Sequence, residues 1–156
     1  MRTDFPRFVA AGEALTDMIR GEGEHWLSKT GGSTWNVARA AAALGVRSAF
    51  AGAISRCCFG DALWQASADA GLDLRFVQRV ERSPLLAIVA QSDPPDYFFV
   101  GDDSADLYFD SAALPDGWQQ HAEWAHFGGI SLARAPLAEH LVTLAQTLRA
   151  AGVHIS

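Results

Sequence analysis

Residues 31–60 read GGSTWNVARAAAALGVRSAFAGAISRCCFG and give the clearest indication of the fold. It opens with the pair Gly31–Gly32, continues through an alanine-rich segment that stops at Gly45, and ends in the apolar run Ser48–Ile54. A helix that stops at a glycine and leads into a buried strand is typical of a β-α-β unit. Because Phe8–Ala11 is another short apolar run, we expect it to be the first strand of that unit and the protein to have an α/β fold.

The glycine pair and Asn36 are candidates for ligand binding. Glycines at a helix start let backbone amides approach a ligand closely, and the N–H groups of the first turn lack partners within the helix. Asn36 adds a donor and an acceptor on the first turn. These groups suit a polyhydroxylated neutral ligand at least as well as a phosphate. A tight loop that only leads into the helix explains the same glycines and is the alternative.

Asp17 is the second candidate. Glu13 and Asp17 follow the first predicted strand, where open α/β sheets place their ligands. A carboxylate can accept hydrogen bonds from two neighbouring hydroxyls of a sugar, which makes Asp17 the more interesting of the two acids. The alternative is a solvated acid in a loop.

The remaining elements follow from apolar periodicity and from the positions of glycine and proline. In the first helix, Val37, Ala40, Ala41 and Leu44 repeat at helical spacing, which predicts one buried stripe. Met18–Lys29 reads as a loop or an irregular strand pair. The other predicted elements are a helix at Phe59–Ala70, a strand at Arg75–Val80, a hairpin of Leu85–Gln91 and Tyr97–Val100, a strand at Trp124–Phe127, a helix at Leu137–Ala151 with Leu141, Leu144, Ala145 and Leu148 on one face, and a strand at Val153–Ile155.

Composition and charge exclude several classes of function. The chain has 156 residues, 49% of them hydrophobic, which fits one globular domain. Its net charge of −6 disfavours nucleic acid, which requires clustered Lys and Arg. There is no apolar run of membrane-spanning length and no signal-peptide pattern. Cys57 and Cys58 are adjacent, so we expect reduced thiols in a cytoplasmic protein, and no metal site is predicted.

Three stretches of the sequence resemble one known family. FVAAGEALTD (Phe8–Asp17), GGSTWNVARAAAALG (Gly31–Gly45) and WAHFGGISLA (Trp124–Ala133) resemble, in this order, the N-terminal half of the PfkB, or ribokinase-like, carbohydrate kinases. The likeness is greatest to fructokinases and 2-keto-3-deoxygluconate kinases. It implies a partial ribokinase-like, Rossmann-like fold over residues 1–156. This fold has a mainly parallel sheet flanked by helices and a small β-lid from segments near 15–30 and 85–100.

The resemblance also implies a sugar site. Asp17 matches the aspartate that holds the sugar hydroxyls in the family, and Gly31, Gly32 and Asn36 match its glycine pair and asparagine. The lid segment carries Phe99, which would face the sugar, form an interface with a partner, or belong to a plain core strand. The family often has a basic residue where Gly101 stands, so its absence favours a neutral sugar such as fructose over a sugar acid.

In this family the catalytic aspartate and the ATP site lie in the C-terminal half. The sequence contains no GxGD stretch and no Walker-type GxxxxGK[ST] motif. We therefore expect these residues to carry the sugar half-site of a sugar kinase without catalytic residues, with ATP and Mg²⁺ serving only the complete enzyme. The alternative is a non-catalytic sugar-binding or dimerising fragment. We also expect a homodimer, or higher association, through the lid or through an exposed sheet edge beyond Ile155.

Two local departures from the family pattern stand close to the expected site. Thr34 takes a position where the family prefers Gly, Ala or Pro, and Ser55-Arg56-Cys57 replaces the usual Gly-x-Asp. The resemblance implies that the second segment adjoins the sugar and the lid, so we expect its loss to weaken sugar affinity.

Overall fold

The computed structural model describes residues 4–156 and arranges them as two sheets with three α-helices. The elements are β1 (Phe8–Ala11), β2 (Leu15–Arg20), β3 (Trp26–Gly31), α1 (Ser33–Ala43), β4 (Ser48–Ser55), α2 (Cys58–Asp69), β5 (Val77–Val80), β6 (Leu86–Ser92), β7 (Pro95–Val100), β8 (Trp124–Phe127), α3 (Leu137–Ala150) and β9 (His154–Ile155).

The main sheet has the strand order β5-β4-β1-β8-β9, and every pair in it is parallel. Strand β4 is buried along its whole length, as expected for a continuous apolar run inside a covered parallel sheet. This arrangement confirms the predicted fold class. The strand predicted from Arg75 begins only at Val77, because the Asp73 side chain accepts a hydrogen bond from the Arg75 amide and caps a short 3-10 turn before it.

Helices cover both faces of the main sheet. On one face, α3 buries Leu137, Leu141, Leu144 and Leu148, which include three of the four residues predicted for its inner side. On the other face lie α1 and α2, which pack on Ala10, Phe50 and Ile54.

The predicted buried stripe of α1 is wrong. Leu44 is 84% exposed, and the helix instead buries Thr34, Trp35 and Ala38. Trp35 decides this rotation because it is the largest apolar side chain of the helix and its indole N–H donates to Ser67 Oγ of α2 at 2.9 Å.

A smaller sheet with the order β3-β2-β6-β7 lies apart from the main sheet. Strands β2 and β3 are antiparallel, as are β6 and β7, and β2 joins the two hairpins by pairing parallel with β6. The hairpin predicted off the main sheet is confirmed. The segment Met18–Lys29 is a regular strand pair with a short connection, not a loop. Strand β7 is exposed along its whole length, so the plain core strand considered for it is wrong.

A buried ion pair fixes the chain where it leaves the small sheet. Asp106 is fully buried, and Arg134 Nε donates to its Oδ2 at 3.0 Å. Arg134 Nη2 also donates to the Gly101 carbonyl at 2.6 Å and to Ser104 Oγ at 2.8 Å. The acidic run after β7 therefore contributes a structural anchor. No helix formed by residues 4–156 has the length and apolar character needed to cross a bilayer.

Candidate functional site

A cleft of about 450 Å³ opens between the main sheet and the inner face of the small sheet. Four of the five predicted site residues line it: Asp17, Gly32, Asn36 and Phe99. The fifth, Gly31, lies beside Asp17. The cleft is also lined by Glu13, Leu15, Ser33, Ala87, Val89, Tyr97, Gly129 and Ile130.

The register of the small sheet places Asp17 and Phe99 on one face. Asp17 of β2 pairs with Ala87 of β6, and Ala87 pairs with Phe99 of β7. Residues that pair directly across strands share a face of the sheet, so these three form one row. Tyr97 lies next to Phe99 in an edge-to-face contact at 5.6 Å. The small sheet thus presents one carboxylate and two aromatic rings to the cleft.

Asp17 is free to accept hydrogen bonds. Within residues 4–156 no side chain or amide donates to it, and burial raises the pKa of its carboxyl group. Lys29 of β3 pairs with Asp17 of β2, yet the Lys29 side chain is exposed and is not among the residues that line the cleft. Gly31 leaves room for the carboxylate, because a Cβ atom there would collide with Asp17 Oδ2.

Gly32 starts α1 in a conformation that only glycine adopts easily, with φ at +112°. A Cβ atom there would lie 2.8 Å from both the Glu13 carbonyl and the Ala14 Cα. Asn36 follows one turn later, and its backbone N–H donates to the Gly32 carbonyl at 2.9 Å. The Asn36 side chain is exposed at the cleft.

Glu13 was not among the residues predicted to form the site. It is 1% exposed, and its Oε1 accepts from the Ser33 amide at 3.0 Å and from Ser33 Oγ at 2.6 Å. Its Oε2 accepts from the amide and the hydroxyl of Ser131. The Ser33 amide at the start of α1 is therefore already paired within the protein, with Glu13. The available signal was an acid directly after a buried strand.

The two departures from the family pattern, Thr34 and the segment Ser55-Arg56-Cys57, lie in different places relative to the cleft. Thr34 is fully buried and donates through Oγ1 to the Glu13 carbonyl at 2.8 Å, so it supports the loop beneath the cleft. Ser55 and Cys57 lie away from the cleft, in a separate concavity of about 490 Å³. Ser55 Oγ donates to the Arg82 carbonyl at 2.6 Å. The segment Ser55-Arg56-Cys57 therefore does not line the cleft that contains Asp17.

Within residues 4–156 no three His, Cys, Asp or Glu side chains are grouped so that they could hold a metal ion. At the start of α1, the Ser33 amide is already paired with the Glu13 carboxylate.

The comparisons with known proteins find carbohydrate kinases. A model of the pfkB family of carbohydrate kinases matches residues 7–155. The chain is similar to a fructokinase structure with bound ATP from Xylella fastidiosa, with 29% identity, a TM-score of 0.88, and coverage of 96% of this chain and 48% of that chain. It is also similar to a Vibrio cholerae fructokinase in a form with fructose, ADP and calcium ion bound, with 26% identity, a TM-score of 0.82, and coverage of 97% and 50%.

A third similar structure is an uncharacterized sugar kinase from Pyrococcus horikoshii. It shares 23% identity and a TM-score of 0.84, with coverage of 95% of this chain and 53% of that chain, and at this identity the likeness bears on the fold alone. No curated protein sequence matches the chain. The chain spans about half the length of the solved structures that it matches.

Proposed function

This chain belongs to the pfkB family of carbohydrate kinases, and from that premise we propose that it carries the sugar-binding part of an ATP-dependent sugar kinase. The observation that supports this most is the free carboxylate of Asp17 in a cleft shared with Asn36 and Phe99. A carboxylate without a protein donor is suited to accept two sugar hydroxyls. The kinase would phosphorylate a hydroxyl of a neutral sugar such as fructose.

Each cleft residue has a role in this proposal. Asp17 accepts hydrogen bonds from neighbouring hydroxyls, and Asn36 supplies one donor and one acceptor. Gly31 leaves space for the Asp17 carboxylate, and Gly32 holds the start of α1 close to the cleft. The ring of Phe99 packs against the apolar C–H face of the sugar, as aromatic rings do with partly apolar ligands.

The charges of the cleft favour a neutral sugar over a sugar acid. No Lys or Arg is among the residues that line it. The guanidinium nearest to Gly101 belongs to Arg134, and this group is committed to Asp106, Ser104 and the Gly101 carbonyl. A carboxylate ligand would therefore meet the Asp17 charge with no cation of the lining to offset it.

Phosphoryl transfer needs a base for the sugar hydroxyl and a cradle for the nucleotide. The proposal places both outside this chain, because the matched fructokinase structures are about twice as long as it is. We assign the base, ATP and Mg²⁺ to the part of the family fold that this chain does not span. Alone, the chain binds sugar without turning it over, in the cytoplasm, where Cys57 and Cys58 stay reduced.

The test is a calorimetric titration of the purified chain with fructose, with 2-keto-3-deoxygluconate and with Mg–ATP. We expect heat with fructose, less with the sugar acid and none with Mg–ATP. Asp17→Asn, which keeps the size of the side chain, should abolish the fructose heat. A folded chain that gives no heat with fructose would refute the proposal. Heat with Mg–ATP would show that the nucleotide site had been placed wrongly.

A second function, self-association, has an observation of its own. Three large hydrophobic residues that are exposed lie on the outer face of the small sheet, opposite the cleft: Trp26, Phe98 and Val100. Exposed apolar patches mark interaction surfaces, and β9 adds an unpaired parallel edge. We propose a homodimer formed through the outer face around Phe98. Sedimentation should show a dimer that Phe98→Asp converts to a monomer, and a wild-type monomer at high concentration would refute it.

A further inference from the structure

We propose that Lys29 is a further sugar-binding residue, whose ammonium group turns over a sugar bound at Asp17 and donates a hydrogen bond to it. This inference rests on the proposed function, because it concerns the same cleft. It adds a cation to a site whose lining has none. Three features of the molecule carry it: the position of Lys29 on the small sheet, its lack of an ion-pair partner, and the shortage of side-chain donors in the cleft.

Lys29 lies on the same face of the small sheet as the cleft residues Asp17 and Phe99. It pairs with Asp17 of the neighbouring strand, and this pair continues the row that runs through Ala87 to Phe99. Directly paired residues on antiparallel strands have Cβ atoms about 4.5–5.5 Å apart. The flexible stem of a lysine spans a gap of this size, so its ammonium can reach a ligand atom that touches the Asp17 carboxylate.

The Lys29 ammonium is free to turn toward the cleft. Within residues 4–156, no carboxylate forms an ion pair with it. Its side chain is exposed on β3, which is an edge strand of the small sheet. The next residue on this face of β3 is Gly31, which has no side chain to separate Lys29 from Asp17. The ammonium therefore breaks no ion pair when it turns over the cleft.

The cleft is rich in side-chain acceptors and poor in side-chain donors. The Asp17 carboxylate only accepts, and Ser33 Oγ gives its proton to the Glu13 carboxylate at 2.6 Å, so it offers a ligand its lone pairs. The side-chain donors left in the lining are Asn36 and Tyr97. A sugar hydroxyl that donates to a carboxylate keeps its own lone pairs, and these need donors once the sugar has displaced water. A donor beside the carboxylate is therefore missing from the empty cleft.

The Lys29 ammonium supplies this donor. A hydroxyl that donates to the Asp17 carboxylate and accepts from an ammonium forms two charge-assisted hydrogen bonds, which are stronger than bonds between neutral groups. In the empty cleft water solvates both charges, and an ion pair between exposed groups contributes little. The ammonium thus gains its partner in the complex. Because its charge offsets that of Asp17, the site acquires no net positive charge and still favours a neutral sugar.

The composition of the chain allows a direct test, because Lys29 is the only lysine among the 156 residues. The purified wild-type chain is treated with the N-hydroxysulfosuccinimide ester of acetic acid, which acetylates lysine and the α-amino group. Mass spectrometry of the peptides measures both rates. Saturating fructose should slow the acetylation of Lys29 at least about fivefold and leave that of the α-amino group unchanged. Asp17→Asn, which should not bind fructose, should show no protection.

Calorimetry with fructose gives the second readout. Lys29→Met keeps an unbranched side chain and removes the charge, so it should weaken fructose binding at least about fivefold. Lys29→Arg keeps a cationic donor and should retain more affinity than Lys29→Met. Arg20→Met is the matched control, because it removes an exposed cation from the opposite face of the same sheet, where Arg20 pairs with Trp26. It should leave fructose affinity unchanged.

The outcomes separate the two proposals. Fructose binding by the wild type with unprotected Lys29, or with unchanged affinity in Lys29→Met, overturns the role of Lys29 alone. Absence of fructose binding by the folded wild type overturns the proposed function and this inference with it. If Lys29→Met does not fold, the acetylation of the wild-type chain decides, and equal rates with and without fructose overturn the inference.

Discussion

The Asp17 carboxylate occupies the space that a side chain at Gly31 would need. A Cβ atom at Gly31 would collide with Asp17 Oδ2, and its next neighbour would be Asp17 Cγ at 3.3 Å. The two residues lie on the paired strands β2 and β3, where the backbone is held by the sheet. The carboxylate is the flexible partner of this contact, so a side chain at Gly31 would displace the carboxylate and leave the strands in place.

We expect Gly31→Ala to lower fructose affinity at least about tenfold while the thermal midpoint changes little, because the collision moves a side chain and not the backbone. Calorimetry and thermal unfolding measure the two effects. Ser28→Ala on the same strand is the matched control, since its side chain points to the opposite face. A Gly31→Ala chain with wild-type affinity would show that the position of Asp17 is not critical.

An alanine at Gly32, unlike one at Gly31, should lower the stability of the fold. Gly32 has φ at +112°, and a Cβ atom there would lie 2.8 Å from two backbone atoms, the Glu13 carbonyl oxygen and the Ala14 Cα. Gly32→Ala should therefore lower the free energy of unfolding by about 2 kcal/mol or more. Urea denaturation of this variant beside Gly31→Ala measures the contrast. An unchanged urea midpoint for Gly32→Ala would contradict the strained start of α1.

Local patterns in the sequence were sufficient for much of the fold. The strands β1, β4 and β8 are short apolar runs, and α3 repeats leucine at helical spacing, so each of these signals lies within one element. The rotation of α1 was missed because an alanine-rich helix has little periodicity of its own. Its orientation depends on Trp35 and Ser67, which are 32 positions apart.

The residues of the candidate site also differ in whether the sequence alone could identify them. Asp17, Gly32 and Asn36 could be found because the resemblance rests on short motifs around them. Glu13 could not be understood from its neighbours, because its partners Ser33 and Ser131 lie 20 and 118 positions away. An acid that follows a strand is ambiguous until the fold brings its donors together. Its role is therefore a property of the tertiary structure.

Asp17 should make both sugar binding and stability depend on pH. Burial raises the pKa of its carboxyl group above the usual 3.8, so the folded chain holds this proton more tightly than the unfolded chain. The contribution of Asp17 to stability is therefore greatest below the unfolded pKa and is lost as the pH rises through the folded pKa. Asp17→Asn should unfold at an equal or higher urea concentration than the wild type at neutral pH, and the difference should disappear in acid.

Sugar affinity should change with pH in the direction opposite to that of stability, because the ionised Asp17 carboxylate is the better acceptor. Fructose affinity should rise as the pH increases from about 4 to about 7. Lys29, which pairs with Asp17 across β3, is the charged residue to control for, and Lys29→Met should keep the rise. Calorimetry at several pH values measures this. An affinity that is flat in the wild type would contradict the role of Asp17 as the ionised acceptor.

The acidic run after β7 offers a stability test with an internal control. Asp106 has a fully buried side chain and pairs with Arg134, whereas Asp103 is exposed and lies 3.8 Å from Arg82. Removing one partner of a buried pair leaves the other charge without compensation. Asp106→Ala should therefore lower the free energy of unfolding by about 3–5 kcal/mol. Asp103→Ala should leave it nearly unchanged, because exposed ion pairs contribute little. Urea denaturation of both variants decides between these cases, and equal effects would mean that the Asp106–Arg134 pair does not anchor the chain after the small sheet.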